Sequence, residues 1–212
     1  MGLSIIAVIM LTSVTHAPGA AGTTNITGAL SLRNISEYQH GFIDWSCKVP
    51  YFSWIVFKQP IAFMVFLICA FAETNRTPFD LPECEAELVG GYHTEYSSMK
   101  LGFYLFAEYI NMFISSAVIA VVFFGGYNYP GMDWVNHTLA SAWGNTGANL
   151  AVFVGVAVLF AKILFFIFFY MWVRWTVPRF RYDQLMNLGW KILIPLSILN
   201  IVLTGAAVLL TK

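Results

Sequence analysis

Charged residues are scarce in this sequence and make up only 10% of its 212 residues. Soluble domains carry about 25% charged residues because their surfaces must face water. Hydrophobic residues account for 58% and aromatic residues for 17%. A soluble chain of this length would have too few polar side chains to cover its surface. Because lipid removes that requirement, the composition predicts an integral membrane protein that contacts the lipid bilayer.

Signatures of metal and redox centres are also missing. The three cysteines form no CxxC pair, and the four histidines are scattered. These spacings do not match zinc, haem or iron–sulfur sites, so we expect no metal site and no cofactor bound by this chain. Basic and acidic residues balance at eleven each. With no basic stripe or polybasic run, nothing predicts nucleic acid as a partner.

Long apolar runs predict the spanning helices, since about 20 apolar residues cross the hydrocarbon core as a helix. Residues 101–122, 148–173 and 192–210 form three such runs with at most one charge each. A fourth run, 51–72, contains Lys58 and Pro60, and the proline predicts a kink.

The first residues predict a shorter helix. Residues 1–14 are apolar and uncharged, but as a helix they rise only about 21 Å, less than a bilayer. We therefore expect an all-α polytopic helix bundle, with about four full spans and an N-terminal partial span. Residues 1–212 would form a single membrane domain.

The placement of Lys and Arg predicts the orientation in the membrane. Residues 126–145 contain no Lys or Arg, whereas 73–100 contain two and 174–191 contain four. Cationic loops favour the cytoplasmic or matrix side. We therefore expect an acidic internal loop at 73–100, a basic internal loop at 174–191 and an external loop at 126–145.

The acidic loop and the start of the next span hold seven of the eleven acidic residues within 36 positions. Asp80 and Glu83 fit a capping box before a short helix, which Gly90 and Gly91 would end. For any one loop acid, a favourable position at a helix start is a sufficient explanation. Glu108 differs, because it lies about 10 Å into the span.

Ionisable residues inside spans are costly and indicate function by default. Glu108 and Lys162 both meet this description and are opposite in sign. The pair therefore predicts either a structural salt bridge between spans or a functional site.

Two long motifs resemble a known family. One is AETNRTPFDLPECEAELVGGYHTEYSSMK, followed by LFAEYINMF, and the other is VRWTVPRFRYDQLMNLGWKILIP. Both are similar to the membrane subunit of NADH:quinone oxidoreductase (complex I) that is called H in bacteria and subunit 1 in mitochondria. The opening GLSIIAVIM resembles a middle span of that subunit, and members carry about three more spans before it. The resemblance therefore implies an N-terminally truncated member.

The resemblance implies a quinone-tunnel and coupling subunit of a proton-translocating enzyme in the bacterial or mitochondrial inner membrane. Quinone would be the substrate of the whole complex, and this chain would not be catalytic alone. The implied partners are the peripheral-arm quinone-reducing and iron–sulfur subunits and the small membrane-arm subunits. Implied quinone-tunnel residues are Arg76, Phe79, Asp80, Arg179, Arg181 and Asp183, and implied proton-coupling residues are Glu73, Glu83, Glu85, Glu87, Glu95 and Glu108.

Arginine's planar fork can bind a carboxylate at two points. Arg179 or Arg181 could therefore hold the acidic loop in shape. The alternative for both is simple anchoring on the internal side.

Two other functions stay open at this point. A homologous subunit of a membrane-bound hydrogenase or formate hydrogenlyase would share the motifs without reducing quinone. A free-standing ion transporter could use Glu108 and Lys162, although the sequence has no internal repeat typical of that class.

Overall fold

The computed structural model describes residues 1–15, 32, 35–36, 39, 54–81, 89–129 and 132–210. Regular structure in these ranges is entirely helical. The α-helices are α1 (Gly2–Thr15), α2 (Ile55–Lys58), α3 (Pro60–Glu73), α4 (Met99–Phe123), α5 (Met132–Thr176), α6 (Tyr182–Asn187) and α7 (Ile194–Leu210). A 3₁₀ turn covers Gly91–Thr94, and a π-helical segment, Leu188–Leu193, joins α6 to α7.

Three helical stretches among the described residues are long and apolar enough to cross a membrane. They are Met99–Phe123, Asn149–Thr176 and Tyr182–Leu210, with 25, 28 and 29 residues. Each contains one of the predicted apolar runs almost completely. The chain is therefore a helical membrane protein, as its composition predicts.

The fourth predicted run is divided into two short helices, α2 and α3. Pro60 is the first residue of α3, and Gln59 between the two helices has φ −133° and ψ 66°. This break confirms the kink predicted from Pro60. Neither half has spanning length, so a fourth full span is not confirmed.

The side chain of Gln59 bridges the helix break to two other helices. Its Nε2 atom donates hydrogen bonds to the carbonyl of Ala7 at 3.2 Å and to the Thr204 hydroxyl at 3.4 Å. Gln59 is 5% exposed, so these bonds replace water that cannot reach it. They hold α1, α3 and α7 together at the kink.

Helix α5 is much longer than its apolar run. It begins at Met132 and has 45 residues, so residues 132–145 of the predicted connection are helical, while the candidate span itself begins at Asn149. A helix of this length rises about 68 Å, well beyond the hydrocarbon core of about 30 Å. Hydropathy detects only the part of a helix that lies in lipid.

Aromatic rings join α3, α4 and α5 in the core. Phe66 and Phe123 are buried with ring centroids 5.4 Å apart, and Phe124 lies 5.0 Å from Phe166. Large side chains such as Phe153 point outward and are exposed. Outward apolar side chains are what a lipid-facing surface requires.

Candidate functional site

The two sequence motifs meet in the structure although about 100 residues separate them. Phe180 N–H donates a hydrogen bond to the Pro78 carbonyl at 2.9 Å. The rings of Phe79 and Phe180 stack with centroids 5.6 Å apart and an interplanar angle of 27°. The loop after α3 and the loop after α5 therefore form one surface, which we call the loop junction (residues 76–81 and 177–181).

Arg76 fixes the loop junction to the spanning helix α4. Its side chain is 7% exposed, and its Cζ atom lies 4.5 Å from the centroid of the Tyr109 ring. Its Nε–H has no hydrogen-bond acceptor among the described residues. A guanidinium over an aromatic face is stabilised most when it is shielded from water. Arg76 therefore joins the loop junction to α4 at Tyr109.

Two of the predicted carboxylates lie near the same end of α4. Asp80 is 4% exposed, and Glu108 is half-buried. Both charges act on the hydroxyl of Tyr104, and Tyr96 contributes to the same field. Asp80, Glu108 and Tyr96 thus lie within electrostatic range of Tyr104. We call these four residues, together with Arg76 over the Tyr109 ring, the α4 cluster.

Tyr170 lies near the Glu73 end of α3 and was missed from the sequence. Glu73 is exposed at the end of α3, and its charge acts on the Tyr170 hydroxyl. Tyr170 is 1% exposed, and its hydroxyl has no hydrogen-bond partner in the described ranges. A buried tyrosine hydroxyl usually finds a hydrogen-bond partner. The signal available in the sequence was therefore a single Tyr within an otherwise apolar span.

Helical spacing in the sequence could also have identified further polar residues of the site. Tyr104, Glu108, Asn111 and Ser115 follow one another at intervals of three and four residues, which places them on one face of a helix. The Asn111 side chain donates to the Glu73 carbonyl at 3.4 Å. This polar stripe therefore joins α4 to the end of α3.

The predicted residues of the second motif lie at the surface. Arg181 pairs with Asp183 at 3.3 Å, and their side chains are 82% and 69% exposed. Such exposed pairs contribute little stability. In the described structure Arg181 thus contacts a neighbour in its own motif. Arg179 is also exposed.

The remaining predicted carboxylates divide into two groups. Glu95 is exposed and follows the 3₁₀ turn. Val89 is helical and is followed by Gly90 with φ +82°, which confirms the predicted helix stop. Glu83, Glu85 and Glu87 lie outside the described residues.

Two apolar clefts flank the loop junction. Cleft A, of about 390 Å³, is lined by Cys69, Glu73 and Gly189 among others. Cleft B, of about 520 Å³, is lined by Phe180, Gln184 and Lys191 among others. Phe79 and Leu188 line both clefts. These two side chains therefore form the boundary between them.

The π-helical segment supplies one wall of both clefts. Single π-helical turns inside α-helices are frequent at functional sites. Gly189 lies in this segment, and a Cβ atom added there would meet no heavy atom within 4 Å. Gly189 therefore leaves open space on the cleft A side. Within the described ranges, no three His, Cys, Asp or Glu side chains are grouped as a metal site would need.

Lys162 lies at the other end of α4. Its Nζ donates to the backbone carbonyls of Phe124, Gly126 and Asn128 at 2.7, 2.9 and 2.6 Å. Glu108 is sixteen residues before Phe124, about 24 Å along a helix. The predicted salt bridge between Glu108 and Lys162 is therefore wrong, because Glu108 lies in the first half of α4 whereas Lys162 is bound at its C-terminal end.

The class defined by these features is a polytopic helical membrane protein with a carboxylate cluster beside two apolar clefts. A family model described as NADH dehydrogenase matches residues 1–205. The chain belongs to this family.

Relatives support the assignment along most of the chain. The H subunit of NADH-quinone oxidoreductase from Flavobacterium johnsoniae is 61% identical over 209 residues, covering 99% of this chain and 51% of the relative. An H subunit from Cytophaga hutchinsonii is 53% identical over 210 residues, covering 99% and 52%. The H subunit from Helicobacter pylori J99 is 48% identical over 186 residues, covering 87% and 48%. The chain spans about half the length of these relatives.

Contact between Phe79 and Phe180 should contribute measurably to stability. We expect a double-mutant cycle with Phe79→Leu and Phe180→Leu to give a coupling of about 0.5–1.5 kcal/mol, because stacked rings add to simple burial. The measurement is the unfolding free energy of the purified protein in detergent. Phe79→Leu combined with Phe153→Leu is the control and should be additive within about 0.5 kcal/mol. Additivity in the Phe79–Phe180 cycle would contradict the contact.

Proposed function

We propose that this chain is the quinone-tunnel and coupling subunit of a proton-translocating NADH:quinone oxidoreductase. The observation that carries the proposal is the position of Phe79. Its ring separates two apolar clefts, and the adjacent, buried Asp80 belongs to the α4 cluster. We assign the quinone to cleft A, because Asn111 of the polar stripe donates a hydrogen bond to the backbone carbonyl of Glu73, which lines this cleft.

The clefts suit a quinone chemically. Quinones combine an apolar tail with a small polar headgroup, and small-molecule sites are mostly apolar with a few placed polar groups. Cleft A provides Glu73 on a wall of Leu, Ile and Phe side chains, and cleft B provides Gln184, Asn187 and Lys191. The Phe79 ring would pack against a quinone in cleft A and separate it from cleft B.

The α4 cluster suits electrostatic coupling. Reduction of a quinone to a quinol takes up two electrons and two protons, so charge changes transiently near the clefts. A unit charge about 10 Å from a carboxylate contributes about 1.7 kcal/mol at an effective dielectric constant of about 20. This changes the protonation equilibrium more than tenfold. Because neighbouring acids titrate as a coupled set, Asp80 and Glu108 would respond together.

Other subunits would supply the electrons. The proposed partners are the peripheral-arm quinone-reducing and iron–sulfur subunits, together with small membrane-arm subunits. The named relatives are bacterial H subunits of NADH-quinone oxidoreductase, which favours the bacterial inner membrane over the mitochondrial one. These names also favour a quinone enzyme over a membrane-bound hydrogenase or formate hydrogenlyase.

A free-standing ion transporter is disfavoured by the contacts of Lys162. That alternative requires Glu108 and Lys162 to act together, yet Lys162 is engaged by backbone carbonyls about 24 Å from Glu108 along the helix.

Gly189→Leu tests the assignment of cleft A. The added side chain enters open space, so folding is expected to survive while the cleft narrows. We expect KM for quinone to rise about tenfold, equivalent to about 1.4 kcal/mol, with NADH:ferricyanide activity of the complex unchanged. Gly102→Leu is the matched control, because Gly102 is also helical and open but lines neither cleft. Wild-type quinone kinetics in Gly189→Leu would contradict the assignment.

Arg76→Lys tests the contact between the loop junction and α4. Lysine keeps the charge but loses the planar stacking surface, so quinone turnover should fall about two- to thirtyfold, matching a cation–π contribution of about 0.5–2 kcal/mol. The readout is quinone turnover divided by NADH:ferricyanide turnover. Arg174→Lys serves as the control, since Arg174 lies in the last turn of α5 and lines neither cleft. Equal ratios for both variants would remove any special role for Arg76.

A further inference from the structure

The turn after α4 presents three backbone carbonyls to one point. The oxygens of Phe124, Gly126 and Asn128 lie 2.6–2.9 Å from Lys162 Nζ. An ammonium group has three N–H donors and no acceptor. The number of donors therefore equals the number of carbonyls, and each carbonyl is within strong hydrogen-bond distance.

Backbone conformation explains why the carbonyls converge. Gly125 and Gly126 have φ +73° and +58°, a left-handed conformation that glycine adopts without strain. Gly126 N–H donates back to the Ala120 carbonyl at 2.9 Å. This turn ends α4 and directs the following carbonyls toward α5.

Two further side chains surround the place where the carbonyls converge on Lys162. The Trp54 ring centroid lies 5.0 Å from Lys162 Nζ, and its ring packs on Phe124 at 5.5 Å. Gln39 Nε2 donates to the Val122 carbonyl at 3.0 Å, which satisfies another carbonyl at the end of α4. We name the carbonyls of Phe124, Gly126 and Asn128, with the Trp54 ring, the carbonyl cage.

The carbonyl cage attracts a cation through backbone carbonyls and an aromatic ring, with no carboxylate among its members. No acidic side chain in the described ranges forms an ion pair with Lys162, whose contacts are the three carbonyls and the Trp54 ring. Carbonyl dipoles and the negative end of a helix favour positive charge, and an aromatic face adds to this. The chemistry is that of a site for a small monovalent cation.

We propose that the carbonyl cage is a binding site for an ammonium-type cation, which Lys162 fills from α5 as a tethered occupant. Lys162 is thereby a positioning residue. It joins the C-terminal end of α4 to α5 and so fixes the position of α4 along its axis, including that of Glu108 in its first half. The inference is independent of which substrate occupies the clefts.

Removing the side chain should leave a vacant site that a free cation of the same chemistry can enter. Lys162→Ala removes the donors from the three carbonyls of the cage, of which those of Gly126 and Asn128 belong to buried residues. The half-life of the assembled protein in detergent at elevated temperature should shorten about tenfold or more. Ammonium or methylammonium chloride should restore most of it, whereas tetramethylammonium, which has no N–H donor, should not. Wild type and Lys100→Ala, an exposed lysine at the start of α4, should respond equally to all three salts.

Several results would overturn the proposal. They are a wild-type half-life for Lys162→Ala, recovery by tetramethylammonium equal to that by methylammonium, or no recovery by any ammonium salt. If Lys162→Ala fails to accumulate, the amount of protein in membranes of cells grown with methylammonium or tetramethylammonium becomes the readout. Accumulation only with methylammonium supports the cage, and failure with both, or equal accumulation with both, overturns it.

Discussion

Backbone groups at helix interruptions must find hydrogen bonds inside the protein, because lipid supplies none. At the break, Gln59 N–H donates to the Ile55 carbonyl, the Gln59 carbonyl accepts from Phe63 N–H, and the Gln59 side chain reaches Ala7 and Thr204. The end of α4 is satisfied by Gln39 and Lys162. At each interruption, hydrogen bonds thus join one helix to another. These bonds set the positions of the helices that line the clefts and carry the α4 cluster.

Helix α4 connects the loop junction to the carbonyl cage. In its first half, the Tyr109 ring contacts the Arg76 guanidinium and Glu108 belongs to the α4 cluster. At its C-terminal end, the carbonyl cage fixes it to α5. A rigid span held at these two points keeps the polar stripe in one register beside the loop junction. This arrangement allows a charge change in a cleft to shift the protonation of ionisable residues along the span.

Local features were predictable from the sequence and long-range contacts were not. The kink at Pro60 follows from covalent geometry and the spans follow from hydropathy. The full length of α5 was missed because its first part is not apolar. A salt bridge between Glu108 and Lys162 was predicted from their opposite charges. Instead, Lys162 binds the carbonyls of a turn that contains two left-handed glycines, and Glu108 is too distant. The stacking of Phe79 on Phe180 joins loops about 100 residues apart, and no local pattern encodes it.

Occupation of cleft A by quinone is the central claim, and Cys69 measures it directly. This free, half-buried thiol lines cleft A beside Glu73. Its alkylation rate in the assembled complex, followed by mass spectrometry of its own peptide, should fall when a short-chain quinone is added. A cysteine introduced at Gly102, outside both clefts, should react at an unchanged rate. Equal Cys69 alkylation with and without quinone would contradict the account.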